Sequence, residues 1–192
     1  MDRTHERITH AAVELHGTIG PAATTMSAVA ERAGVTRATL YRHFANEEVL
    51  FAACSADWLA ANPRPDFARW AAIADPVRRL GVGLDELYSY YRSTKDMRAN
   101  LLRDIAVMPP SIRSGILAFP SAVVAVLATG WPEYPDAHMR RAAIGHAVGF
   151  GTWRSLAAEG LTDAEAAELM VQLVACVGPE EETKSSRRSE HE

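Results

Sequence analysis

Thr24-Thr25-Met26-Ser27-Ala28-Val29-Ala30-Glu31-Arg32-Ala33-Gly34-Val35-Thr36-Arg37-Ala38-Thr39-Leu40-Tyr41-Arg42-His43-Phe44 predicts two short helices around a tight turn. Thr25 is a good N-cap for the first helix, and Val29, Ala30 and Ala33 supply its apolar face. Gly34 falls where that helix must stop, and glycine alone enters the left-handed region without a steric cost. Thr36 caps the second helix, Leu40 and Phe44 face inward at i, i+4 spacing, and Val35 closes the corner. Arg37, Ala38, Thr39, Tyr41, Arg42 and His43 are left outside. That surface offers hydrogen-bond donors, one aromatic ring, little bulk and no acid. A helix entering the DNA major groove needs such a surface: short side chains to approach base edges and cations for phosphates. The alternation of helix, turn and helix by itself fits an ordinary αα-hairpin with a basic, solvated face equally well.

The string Ala33-Gly34-Val35-Thr36-Arg37-Ala38-Thr39-Leu40-Tyr41-Arg42-His43-Phe44, followed by Glu48 and Leu50, resembles the helix-turn-helix of the TetR-type transcriptional repressors. The resemblance is strong over about residues 4–50. It implies an all-α fold in which residues 1–46 form a three-helix DNA-binding domain and residues 47–178 a helical-bundle domain for ligand binding and dimerisation. Residues 179–192 are left as a charged, disordered tail, since the run from Glu180 has no apolar residue to bury. Two positions depart from the family pattern. His16 stands where a large aromatic is usual, so it is either a partly buried histidine with weakened packing or the sign of an early helix end. Glu47 stands where lysine often touches a DNA phosphate, and an acid there repels the backbone.

Composition adds bounds. Hydrophobic residues make up 48% of the 192, ample for a core, and the formal net charge is −4. Residues 1–46 carry five arginines against four carboxylates, while the remainder carries fifteen cations against twenty acids. That contrast is small, so DNA affinity must come from the placement of a few arginines in a dimer. Cys54 and Cys176 both sit in apolar helical patterns, as buried free thiols of a reducing compartment do; a redox-sensing pair is the alternative. The N-terminus is too polar for a signal peptide, and no apolar run approaches the ~20 residues of a membrane span. A cytoplasmic protein with no membrane association is expected.

Along the chain, a first helix is predicted from Thr4, ended by Gly17, with Ile8, Ala12 and Leu15 on its face. Asn46 caps a helix with the stripe Leu50, Cys54, Trp58 and Ala61, broken by Asn62-Pro63-Arg64-Pro65. A short helix with Phe67, Trp70 and Ile73 follows. Asp75-Pro76 opens another, and a separate one runs from Met97 to Met108. The stretch from Ile112 to Leu127 is helical with a kink or break at Pro120. One long helix from Asp136 to about Ala158 is expected to bury Met139, Ala143, His146, Phe150, Trp153 and Ala157. Thr162-Asp163-Ala164-Glu165 is a full capping box for the last helix, which ends at Gly178-Pro179.

The family resemblance assigns dimerisation to the last two helices, residues 136–158 and 162–177, which pack as a four-helix bundle. Ala142, Gly145 and Gly149 form a small-residue strip that suits close approach. The middle helices would enclose a ligand cavity, with Trp70, Leu87, Tyr88, Tyr91, Leu102, Met108, Phe119, Val123, His146, Phe150 and Trp153 as candidate lining. Such walls suit a hydrophobic or aromatic effector. No metal site is expected, since His138 and His146 are not spaced for one helical face, and no cofactor is expected. The reading is a homodimeric repressor on a palindromic operator in double-stranded DNA, released by a small molecule. Arg37, Ala38 and Thr39 would face bases; Thr25, Ser27, Tyr41 and His43 would hold phosphates, with Thr36 and Arg42 on the same surface. The rivals are a DNA-binding activator or architectural protein that takes no ligand, and an α-helical enzyme using the cavity, for which no acid-base pair is visible.

Overall fold

The computed structural model describes residues 2–132 and 137–177, and among them there are ten α-helices and no strand. They are α1 (Arg3–Thr18), α2 (Met26–Arg32), α3 (Arg37–His43), α4 (Glu47–Ala61), α5 (Phe67–Ala71), α6 (Pro76–Arg103), α7 (Pro110–Leu127), α8 (Ala137–Ala147), α9 (Phe150–Ala158) and α10 (Asp163–Ala175). Two 3₁₀ turns, Pro21–Ala23 and Ile105–Val107, join helices. The chain packs as two compact units. One holds the residues up to Asp66 together with Glu86–Ala122; the other holds Phe67–Asp85 and the residues from Val123 onward. The tail from Glu180 and the Gly178-Pro179 stop lie outside the described residues.

In the first unit, local chemistry sets the helix-turn-helix. The Thr25 hydroxyl accepts the Ala28 amide at 3.1 Å and the Thr36 hydroxyl accepts the Thr39 amide at 3.1 Å, so both short helices have N-caps. Gly34 has φ +64°, where an L side chain costs about 1–2 kcal/mol. The Arg7 guanidinium reaches over from α1 and donates to the carbonyls of Ala33 and Gly34, which α2 leaves without helical partners. Ile8, Ala12, Val29, Ala30, Leu40, Phe44, Leu50 and Cys54 close one core across α1 to α4. Leu40 and Phe44 are entirely buried, so the opposite side of α3 must face outward.

Several element ends differ from the sequence expectation. Asp2, not Thr4, caps α1: its carboxylate accepts the Thr4 amide at 2.9 Å. The helix passes Gly17 and ends at Thr18, because Gly20 with φ +89° supplies the left-handed residue that closes it, its amide donating to the Leu15 carbonyl. The two helices expected between Pro76 and Met108 are one helix of 28 residues, α6, followed by a 3₁₀ turn. The polar run Arg92-Ser93-Thr94-Lys95-Asp96 contains no glycine or proline, and the Thr94 hydroxyl is absorbed by the Tyr90 carbonyl at 2.6 Å, so nothing ends the ladder. The helix α7 runs through Pro120 without a break, since one missing amide leaves the bonds on either side in place. By length and composition alone α7 is apolar enough to cross a membrane, a property it shares with core helices of soluble proteins.

In the second unit, the long helix expected from 136 to 158 is two helices. Gly149 is extended and precedes α9, and the His146 carbonyl accepts both the Gly149 amide at 3.0 Å and the Thr152 hydroxyl at 2.7 Å. The buried positions of α8 are Arg140, Ile144 and Ala147. The expected stripe of Met139, Ala143 and His146 is one residue out of register, and Met139 and His146 are exposed. An arginine on the inner face disguised the true stripe. Arg140 is tolerated there because it donates to the Val177 carbonyl at 2.5 Å and stacks on Trp131 at 5.0 Å. The capping box at Thr162 forms in full: Glu165 accepts the Thr162 amide at 2.8 Å, and the Thr162 hydroxyl accepts the Glu165 amide at 3.2 Å.

Candidate nucleic-acid interface and cavity

With Leu40 and Phe44 seated in the core, α3 presents Arg37, Ala38, Tyr41 and Arg42 to solvent. The Arg37 guanidinium lies 5.9 Å from the Tyr41 ring centroid one turn away, which steadies both side chains on the same face. Thr36 and Thr39 share a hydroxyl contact of 3.0 Å at the N-terminal end. His43 is half-buried at the other end, its Nδ1 3.5 Å from the Asp2 carboxylate. Thr25 and Ser27 are exposed at the start of α2. The face is cationic and α3 itself carries no carboxylate, the Asp2 group lying at its His43 end. Glu47 is exposed in the first turn of α4.

The same unit holds a cavity of about 200 Å³ between α1, α4, α6 and α7. Val13 and His16 come from α1; Phe51, Cys54, Ser55, Trp58 and Leu59 from α4; Arg64 from the following segment. Tyr90, Met97, Arg98, Leu101 and Leu102 come from α6, and Ser111, Ile112, Gly115, Ile116 and Phe119 from α7. Arg64 and Arg98 lie over one ring, that of Phe119, at 4.9 and 5.1 Å. Arg98 also stands 5.2 Å from the Tyr90 ring and 4.7 Å from that of Tyr91. His16 is buried, stacked on Phe51 at 4.6 Å, with Nδ1 3.5 Å from the Cys54 sulfur. Burial pulls the His16 imidazole down to about 4 and pushes the Cys54 thiol up to about 12. Both are therefore neutral near pH 7. A second cleft, between the start of α2, the start of α4 and the Val107–Pro110 segment, includes Thr25, Glu47 and Met108.

The C-terminal end of α6 is tied to the end of α1. Asn100 donates its side-chain amide to the carbonyls of His16 at 3.1 Å and Gly17 at 2.9 Å. Arg103 donates to the Ile19 carbonyl at 2.9 Å, and the Asp104 carboxylate accepts the Ala22 amide at 3.1 Å. The hydrogen bond from Arg103 holds the Asp104 carboxyl below its ordinary range against the opposing effect of burial, and the Ala22 amide adds to it. A side chain at Gly20 would collide with the Arg103 guanidinium and the Asp104 carboxylate. The linker into the helix-turn-helix is thus bonded to the helix that lines the cavity.

Residues 8–54 match the family model of bacterial regulatory proteins of the tetR family. Over those residues, from α1 into α4, the chain is similar to the regulatory proteins of that family. No curated protein matches the chain. Among solved structures, a TetR-like transcriptional regulator from Rhodococcus sp. RHA1 is similar with a TM-score of 0.63 and 19% identity, over 91% of this chain and 96% of that one. The TetR family regulator PfmR from Thermus thermophilus has a TM-score of 0.60 at 20% identity, over 94% and 99%. The regulator FadR from Bacillus subtilis, in complex with stearoyl-CoA, has a TM-score of 0.59 at 17% identity, over 88% and 97%. These likenesses show the same all-helical fold over 88–94% of the chain.

Within this TetR-type fold the expected cavity residues scatter. Leu102 and Phe119 line the cavity and Met108 lines the second cleft. Leu87, Tyr88 and Tyr91 are core residues of the first unit, while Trp70, Val123, Phe150 and Trp153 are core residues of the second. Burial pushes the Tyr88 and Tyr91 hydroxyls up, as suits packed phenols. His146 is exposed, its Nε2 3.5 Å from the Thr152 hydroxyl. The reading from sequence did not name Arg64, Arg98, Phe51, Trp58, His16 or Ile116 as lining. The signal for Arg98 was present in α6, where it lies seven residues after Tyr91 and so on one helical face.

Proposed function

We propose that this chain is a homodimeric, DNA-binding transcriptional repressor of the cytoplasm, released from a palindromic operator by a small effector that enters the cavity of the first unit. The single observation that carries the DNA-binding reading is the solvent face of α3. There Arg37, Ala38, Tyr41 and Arg42 stand out from a helix whose other side is anchored by Leu40 and Phe44. In this reading Arg37, Ala38 and Thr39 meet base edges. Tyr41, His43, Thr25 and Ser27 hold phosphates and set the register, and Thr36 and Arg42 belong to the same surface. Two copies of α3 read two half-sites in successive major grooves.

Release follows from the bonds between α6 and α1. Met97, Arg98, Leu101 and Leu102 touch the cavity, and Asn100, Arg103 and Asp104 on the same stretch hold the end of α1 and the Pro21–Ala23 turn. An effector that shifts this part of α6 moves the linker ahead of α2. It acts only to the extent that it binds the released conformation more tightly than the DNA-bound one.

The contacts are tested by replacing Arg37 and Tyr41 separately by Ala and measuring anisotropy on the promoter DNA upstream of the protein's own gene. Each variant is expected to weaken binding by about tenfold, the scale of 1–3 kcal/mol per contact. Loss of a phosphate contact also flattens the salt dependence by about one counterion per protomer. Unchanged affinity together with an unchanged salt slope removes both residues from the interface.

A further inference from the structure

We propose that the cavity of the first unit selects a small carboxylate with an apolar body, the carboxylate held at the mouth by Arg98 and Arg64. The proposal names the effector class and so rests on the reading of this cavity as the effector site. Two arginines from different segments converge on one aromatic ring, Phe119, at 4.9 and 5.1 Å. Among the described residues that line the cavity there is no aspartate or glutamate. Stacking uses the faces of a guanidinium, whereas its donors lie in its plane, where a carboxylate is gripped with two parallel bonds. Arg64 is exposed and Arg98 half-buried, so the charge sits at the entrance. Phe51, Trp58, Ile112 and Ile116, all half-buried, form apolar wall. His16 is neutral and adds no charge of its own, which leaves the two arginines as the cations of the lining. A cationic ligand meets two like charges at the mouth, and a neutral one makes no use of them.

Size narrows the class further. A cavity of roughly 150 Å³ lined by apolar side chains holds benzene. The 200 Å³ here suits one ring or a short alkyl chain with its carboxylate outside the apolar part. Gly115 lines the cavity at an exposed position, with room for a side chain.

The test is calorimetric titration of the purified full-length protein with phenylacetate and hexanoate, against phenylethanol, hexanol and hexylamine. The expected result is acids binding at least about tenfold more tightly than the matching alcohols, with no binding of the amine. Arg98→Met should erase the preference for acid over alcohol and Arg98→Lys should restore part of it. Arg64→Met, at an exposed position, gives the same readout should Arg98→Met fail to fold. Gly115→Leu should abolish binding of both acids by filling the cavity. Alcohols binding as tightly as acids, acids binding Gly115→Leu undiminished, or no acid binding at millimolar concentration each overturns the proposal. The effector reading fails separately: acids bind with the expected dependence on Arg98, yet operator affinity does not change when they are present.

Discussion

His16 and Phe51 show how one substitution is absorbed. The histidine occupies a position where the family places a large aromatic, and the chain uses its ring as one, stacked on Phe51 and buried in the wall of the cavity. The cost is acid sensitivity. With a folded-state value of about 4 against an ordinary 6.5, the unfolded chain takes up a proton before the folded one does. Stability is therefore complete above pH 6.5 and falls as the pH drops toward 4, by about 2 kcal/mol between pH 7 and pH 5. Urea unfolding at pH 7.5, 6 and 5 measures this. His16→Phe keeps the ring packing and is expected to lack that part of the loss, so equal pH profiles for the two proteins would contradict it. The same residue was readable in the sequence as an anomaly, but whether it shortened α1 or stayed buried depended on Phe51, which is 35 residues away.

At the level of elements, α6 joins two jobs in 28 residues. Its last turns line the cavity on one side and bond to α1 and the Pro21–Ala23 turn on another. Asp104→Ala removes the acceptor of the Ala22 amide. Losing a hydrogen bond to a charged, largely buried partner costs about 1–3 kcal/mol, and every 1.4 kcal/mol is tenfold. Hydrogen exchange of the amides around Ala22 should accordingly speed up by about tenfold or more, while those in the middle of α1 remain protected. Exchange unchanged at Ala22 would show that the carboxylate does not anchor the linker. Sequence patterns located the starts of α2, α3, α4 and α10 well, because Thr25, Thr36, Asn46 and Thr162 cap their own helices within three residues. The same reasoning divided α6 and fused α8 with α9. A polar run does not end a helix when it holds no glycine or proline and its hydroxyl bonds back to the preceding turn, as Thr94 does to Tyr90. The apolar spacing on either side of Gly149 masked a break that Gly149, Gly151 and Thr152 favour.

For the whole molecule, the question is assembly, and α8 and α10 carry apolar side chains that the protomer leaves uncovered. Met139 and Leu173 are both more than half exposed, and Leu169 is exposed on α10 as well. A side chain at Gly145 would meet no neighbouring element of its own protomer. If the dimer is formed through this small-residue strip, Gly145→Leu should leave the fold of the protomer intact and shift the sedimentation profile toward monomer, weakening association by about tenfold or more. A variant that remains dimeric with unchanged affinity would place the interface elsewhere.

What the residues determined unaided was local: caps at Thr25, Thr36 and Thr162, the left-handed stop at Gly34, and the outward face of α3 that follows once Leu40 and Phe44 turn inward. Each of these is fixed by interactions spanning a few residues, and such interactions leave a spacing in the sequence. The cavity was decided by tertiary structure. Its walls come from four helices, and aromatic side chains that look alike along the chain divide into those that fill the core, such as Tyr88 and Trp70, and those that border space, such as Phe119. That difference depends on what packs opposite each ring, which no periodicity within one helix records. The convergence of Arg64 and Arg98 on Phe119 has the same origin, for it joins positions 64, 98 and 119 only when the first unit is folded.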